Sequence, residues 1–230
     1  TKRPPKIYFL EKPVFYNLND GNKILKKLNN IPTVVNYHRC WDPSHISFFK
    51  KISQSGKPKS IRVIYNKGMF NYASHIIALL IYHFGKVKKI KKSFMKSHNF
   101  KNKDPSYSFV LDFKSGIQAL FQGFDDINYD LLEVEILTSS GIFSLKSGGC
   151  RKRIELPKKN AFYKNYNQLI DYKSYQKDGS IDGLTQAIEN ILDYLDGKNK
   201  KLVCSIKTSF EVAKIMCNVK KITDNTNLKI

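Results

Sequence analysis

The sequence predicts a short α/β remnant followed by an α+β domain built on a mostly antiparallel sheet. Three observations carry that expectation. One strand–helix–strand unit stands near the start, and period-two strands fill the middle. Between them lies a helix that is apolar on nearly every side, Ile76 to Phe84, and such a helix has to be surrounded by a packed domain.

The elements follow in chain order. Ile7-Tyr8-Phe9-Leu10 is a short apolar run of the kind found in buried, often parallel, strands. Asn19 to Leu28 is amphipathic, with Leu18, Ile24, Leu25 and Leu28 apolar and Lys23, Lys26 and Lys27 on the wet side. Asn19 or Asp20 is placed to cap it, and Gly21 weakens its first turn. The β-branched run Thr33-Val34-Val35-Asn36-Tyr37 then completes one βαβ unit with parallel strands. One unit is too little for a doubly wound domain, so the expectation is part of one. Asp42-Pro43 starts a helix, with Asp as N-cap and Pro at the first position. Ile46, Phe49 and Ile52 recur on one face, and Ser55-Gly56 ends it. Ile61 to Tyr65 reads as a strand leading to the apolar helix, which stops at Gly85.

Beyond Gly85 the period becomes two. Val87 to Met95 carries lysines at 88, 89, 91 and 92 and is flanked by Lys86 and Lys96, so one side is wet. Tyr107, Phe109, Leu111 and Phe113 alternate with Ser106, Ser108, Val110 and Asp112, and Lys114-Ser115-Gly116 turns the chain into Ile117 to Phe121. Leu132, Val134 and Ile136 alternate with glutamates, and Ser139-Ser140-Gly141 returns the chain into Ile142 to Leu145. The expected result is an antiparallel meander of at least four strands. Pro157 to Gly179 lacks a clear period and reads as a long loop. Two helices close the chain: one with Leu184, Ala187, Ile188, Ile191, Leu192 and Leu195 on a stripe, the other starting at Ser205 with Phe210, Ala213 and Met216 on one face.

Composition bounds the function. With 230 residues, 41% of them hydrophobic, the chain has enough for a real core. The longest apolar run, Ile76 to Tyr82, is too short to span a bilayer, so no membrane partner is expected. With no charged-then-apolar leader at the start, the expected location is the cytoplasm. Four scattered cysteines form no metal-ligand spacing and are expected to be free thiols. The net charge of +21 favours anionic ligands, yet dispersed lysines on a soluble enzyme give the same balance. Lys86 to Lys96 interleaves Phe94, but no aromatic RNP pair, helix-turn-helix spacing or zinc site accompanies it, so no specific nucleic acid is expected.

The chemistry-bearing stretch is Asn71-Tyr72-Ala73-Ser74-His75 at the start of the apolar helix. Asn71 and His75 stand at i and i+4, one above the other on one helical face. An imidazole with an apolar wall behind it and a loop in front suits a general acid or base. A core-edge histidine bonded to a carbonyl is the competing reading.

A second marker, Glu11-Lys12-Pro13, joins Asn36-Tyr37-His38-Arg39, Ser55-Gly56, Lys67-Gly68 through His75, the Lys114-Ser115-Gly116 hairpin, Ser140-Gly141 and Cys204-Ser205. Their order resembles the Gfo/Idh/MocA family of NAD(P)-dependent sugar oxidoreductases from about residue 7 to 220. The resemblance implies that residues 1–38 are the last part of a Rossmann-like domain. Residues 39–230 would be the family's substrate and oligomerisation domain, an open, mostly antiparallel sheet with helices on one face. It implies NAD or NADP as cofactor, with Glu11, Lys12 and Pro13 beside it. The expected substrate is a sugar or nucleotide-sugar, and the expected assembly a homodimer or homotetramer through the open sheet face. His75 matches the family's base, Lys12 the lysine that contacts the substrate hydroxyl, and Asn71 the aspartate before the histidine. Tyr37, Arg39 and Tyr72 fall where substrate is contacted or the site braced. Three departures count against turnover: Asn71 replaces that aspartate, Ala78 stands where the family often has an aspartate after the histidine, and no Gly-x-Gly-x-x-Gly follows a strand. The chain is therefore expected to be truncated or cofactor-deficient. The alternative is a non-catalytic oligomerisation or carbohydrate-binding module derived from the same family.

Overall fold

The computed structural model describes residues 4–28, 30–92, 103–125, 128–177 and 180–227. Strands β1 (Tyr8–Leu10) and β2 (Thr33–Val35) pair in parallel, with helix α1 (Leu18–Leu28) crossing between them. The cap of α1 lies earlier than expected, because the Asn17 side chain accepts from the Asp20 N–H at 2.9 Å. Gly21 is a packing device and not merely a weak first turn. A Cβ there would lie 2.7 Å from the Phe210 ring, so glycine lets α1 approach the closing helix. β2 is tied to the segment just before that helix, since Val35 N–H donates to the Cys204 carbonyl at 2.9 Å.

Asp42 caps α2 (Pro43–Gln54), accepting from the N–H groups of Ser44 and His45. The buried face is His45, Phe48, Phe49 and Ile52, whereas Ile46, expected there, is 42% exposed. Gly56, with φ at +95°, stands just past the end of α2.

The main sheet has eight strands: β3 (Ser60–Tyr65), β4 (Val87–Lys92), β5 (Phe109–Phe113), β6 (Gln118–Gly123), β7 (Leu132–Thr138), β8 (Gly141–Lys146), β9 (Arg151–Lys159) and β10 (Asn167–Gln176). Their spatial order is β10-β9-β8-β7-β3-β6-β5-β4. Two expectations are corrected here. The meander is interrupted, because β3 inserts between β6 and β7, parallel to the first and antiparallel to the second. Ile61, Val63 and Tyr65 are fully buried, and the period of a strand does not report which strands flank it. The stretch 157–179 is also not a long loop. β9 and β10 form an antiparallel ribbon in which β10 is exposed almost throughout, so nothing imposes alternation on it. The expected lysine-rich continuation through Phe94, Met95 and Lys96 lies outside the described residues.

Helix α3 (Ser74–Phe84) packs on the sheet with Ile76 to Leu80 all buried, and Gly85 ends it at φ +86°. Helices α4 (Ser180–Leu195) and α5 (Ile206–Asn227) complete the helical layer. The sheet face turned away from the helices carries ion pairs, among them Arg62–Glu135 at 3.2 Å and Lys146–Glu133 at 2.8 Å. Among the described residues no helix is long and apolar enough to cross a membrane.

Candidate functional site

The entrance to α3 is a wide π turn, Met69–Ala73, rather than a regular first turn. Two features build it. Gly68 sits at φ +90°, and any side chain there would collide with the Asp104 carboxylate. That carboxylate accepts the Phe70 and Asn71 N–H groups, each at 2.9 Å, satisfying donors at the start of the helix. The turn changes the relation expected between Asn71 and His75, since Asn71 lies in the π segment and His75 in the first turn of α3.

Lys12 reaches this entrance from the end of β1, where a cis bond joins it to Pro13. Its Nζ donates to the Asn71 carbonyl at 2.9 Å and to Asn71 Oδ1 at 2.8 Å. Glu11 accepts from Asn36 Nδ2 at 2.8 Å, linking the loops that follow β1 and β2. His75 is 5% exposed. Its ring lies 4.8 Å from that of His38, between centroids, and 5.9 Å from the edge-on ring of Tyr37. Arg39 Nη1 lies 2.9 Å from His38 Nε2, and Arg39 Nη2 donates to the Gly148 carbonyl at 2.7 Å. Guanidinium only donates, so Nε2 of His38 accepts and its proton is on Nδ1.

Burial, and then the Arg39 and Lys12 charges, hold the His75 pKa well below the ordinary imidazole value. Burial followed by Arg39 likewise pushes His38 down to about 4. Lys12 is lowered by burial and by Arg39, against the opposing pull of Glu11 and Asp104. Asp104 is raised by its burial even though backbone N–H groups favour its charged form. The arrangement is two cations, Lys12 and Arg39, beside two imidazoles that are neutral at pH 7. It suits a ligand bearing hydroxyls or negative charge.

Lys12, Asn71, His75 and Arg39 therefore come together, with Tyr72 half-buried on the same turn and raised by burial and by Asp130. Tyr37 does not line the opening as expected. It is 1% exposed, and its hydroxyl lies 3.5 Å from Ser209 Oγ on α5, so it forms the wall behind His75. His38 and Asp104 belong to the cluster and were not picked out from sequence. The adjacency of His38 to Arg39 was a usable signal for the first; for Asp104, remote in sequence, there was none.

Two buried polar atoms here, His75 Nδ1 and Arg39 Nε, lack a hydrogen-bond partner among the described residues. The Lys12 and Arg39 donors beside neutral imidazoles are a set from which a carboxamide or polyol could accept. No group of three or more metal-ligating side chains occurs among the described residues.

A βαβ unit leading into a mixed eight-stranded sheet with helices on one face is the fold of the Gfo/Idh/MocA-type oxidoreductases, and this chain has it. Among solved structures, Gal80p from Saccharomyces cerevisiae, as its super-repressor mutant, superposes with a TM-score of 0.73 at 13% identity, over 94% of this chain and 70% of that one. A dehydrogenase from Chromobacterium violaceum gives 0.72 at 11%, over 96% and 71%. The UDP-N-acetylglucosamine 3-dehydrogenase GnnA from Acidithiobacillus ferrooxidans gives 0.64 at 10%, over 92% and 68%. No protein-family model matches the sequence, and no curated protein matches it.

Proposed function

We propose that the chain acts as an oxidoreductase of the Gfo/Idh/MocA family, passing a hydride between NAD(P) and a hydroxyl-bearing carbon of a sugar or nucleotide-sugar. The observation that carries this reading is the Lys12–Asn71 contact, which sets a partly desolvated ammonium at the entrance of the helix that holds a neutral His75. A bound nicotinamide supplies the hydride acceptor. His75 takes the hydroxyl proton, since its lowered pKa leaves the imidazole free to accept one at neutral pH. Lys12 has three N–H donors, of which Asn71 takes two, and the third polarises the substrate oxygen. Arg39 adds positive charge suited to a phosphate or diphosphate, and GnnA, of the same fold, is a dehydrogenase of a UDP-sugar. The ion-paired open face of the sheet is the proposed contact between copies in a homodimer or homotetramer.

The test combines NADH fluorescence with turnover assays over a panel of nucleotide-sugars. His75→Ala is expected to lower turnover by about 10²–10⁴-fold while leaving the circular dichroism unchanged. Retained turnover would move the base elsewhere. The second reading, a non-catalytic module, is favoured by Asn71, which cannot stabilise an imidazolium as a carboxylate does, and by the likeness to Gal80p. Sugar binding without any NADH quenching would select it.

A further inference from the structure

We propose that helix α4 of one copy docks in the groove between α5 and β4 of a second copy, a head-to-tail contact separate from the sheet face. On α4, Ile181, Leu184, Ile188, Leu192 and Leu195 are 80%, 41%, 47%, 53% and 41% exposed. Their spacing puts them on one stripe of the helix, so the apolar arc is wider than the part covered by its own chain. The residues beside that stripe are acidic. Glu189 and Asp193 lie on α4 with Asp182, which Lys177 pairs at 2.8 Å, and no lysine or arginine occurs in the helix, although the chain carries a net charge of +21.

The complementary surface is a groove of about 730 Å³. Apolar residues including Ile81, Val87 and Ile215 line it, together with six lysines, among them Lys89, Lys207, Lys214 and Lys221. Glu211 is the one carboxylate in that lining, and it pairs with Lys214 at 2.9 Å, so the rim keeps a net positive charge. On α5 the groove runs from Lys207 to Ile222, the same length of helix as α4, about 24 Å in each case. An apolar stripe with one acidic flank thus meets an apolar groove with basic rims, and both belong to this one sequence. α4 packs on the turn after β2 and on α2, whereas the groove lies between α5 and β4. A contact between unlike patches is heterologous, so each copy offers one patch to each of two neighbours.

The experiment is sedimentation velocity of the full chain over a concentration series at low and high salt. Self-association is expected at low salt and should weaken as salt screens the lysine–carboxylate attraction. Glu189→Lys with Asp193→Lys on the helix, or Lys207→Glu with Lys221→Glu in the groove, should each weaken it at least tenfold. Mixing the two variant chains should restore it. All four positions border surface features, and circular dichroism verifies that the variants remain folded. A mass that neither pair of substitutions changes would leave the sheet face alone as the contact and overturn the proposal. Loss of association with the helix variant but not the groove variant would overturn it equally, because α4 would then pair elsewhere.

Discussion

Two of the three hydrogens on the Lys12 ammonium go to a single asparagine, and among the described residues no carboxylate shares that contact. Replacing the amide by a carboxylate tests what the amide does. Asn71→Asp sets a negative charge at hydrogen-bond distance, so the Lys12 pKa, now held down by burial and Arg39, should rise. Carbon-13 NMR titration of labelled lysine reads that shift, and an unmoved Lys12 would mean that the contact does not form in solution. The motif residues were legible because each is fixed by its backbone position at an element end. Tyr37 was not: whether a side chain at a strand end points into a cleft or into the core depends on what packs behind it, here Ser209 from α5. Asp104 was hidden for a related reason, since its partners are backbone N–H groups that carry no sequence signature.

At the level of elements, the capping chemistry of α2 was open to reading and its network was not. Asp42 Oδ1 accepts from Ser44 and Oδ2 lies 2.7 Å from His45 Nδ1, inside the core. Burial alone would raise the Asp42 pKa, but the bonds from His45 and Ser44 outweigh it and hold the carboxyl low. Asp42→Ala removes the cap and orphans the His45 nitrogen. The expected loss is about 2–4 kcal/mol, from roughly 1 for the cap and 1–3 for the buried donor. Urea unfolding measures it, and a change below about 0.5 kcal/mol would contradict the network. The strands from β5 to β8 were readable because one face of each is buried and the period shows it. β10 was missed because it is wet on both faces, and the place of β3 because neighbours in a sheet are chosen by long-range packing.

Across the whole molecule, burial depresses the pKa of four histidines. His38 and His83 fall to about 4, and His45 and His75 are also lowered, chiefly by burial. Unfolding returns each to the ordinary value of 6.5. Below that pH the unfolded chain binds protons that the folded chain refuses, so stability falls as pH drops. The melting temperature should be level above about pH 7 and decline between about 6.5 and 4. The low pKa of Asp42 contributes only below that window. A flat melting temperature from pH 6.5 to 4.5 would show that these imidazoles reach solvent.

The position of β3 governs the order in which the molecule is made. Ile61 pairs with Ala119 on one side and with Ile136 on the other, and both partners are synthesised long after it. A nascent chain that has not yet delivered β7 holds this strand without a ladder on one edge. Ribosome-bound intermediates of that length therefore display Ile61, Val63 and Tyr65 to chaperones and proteases, and protection begins with the arrival of Leu132 to Thr138.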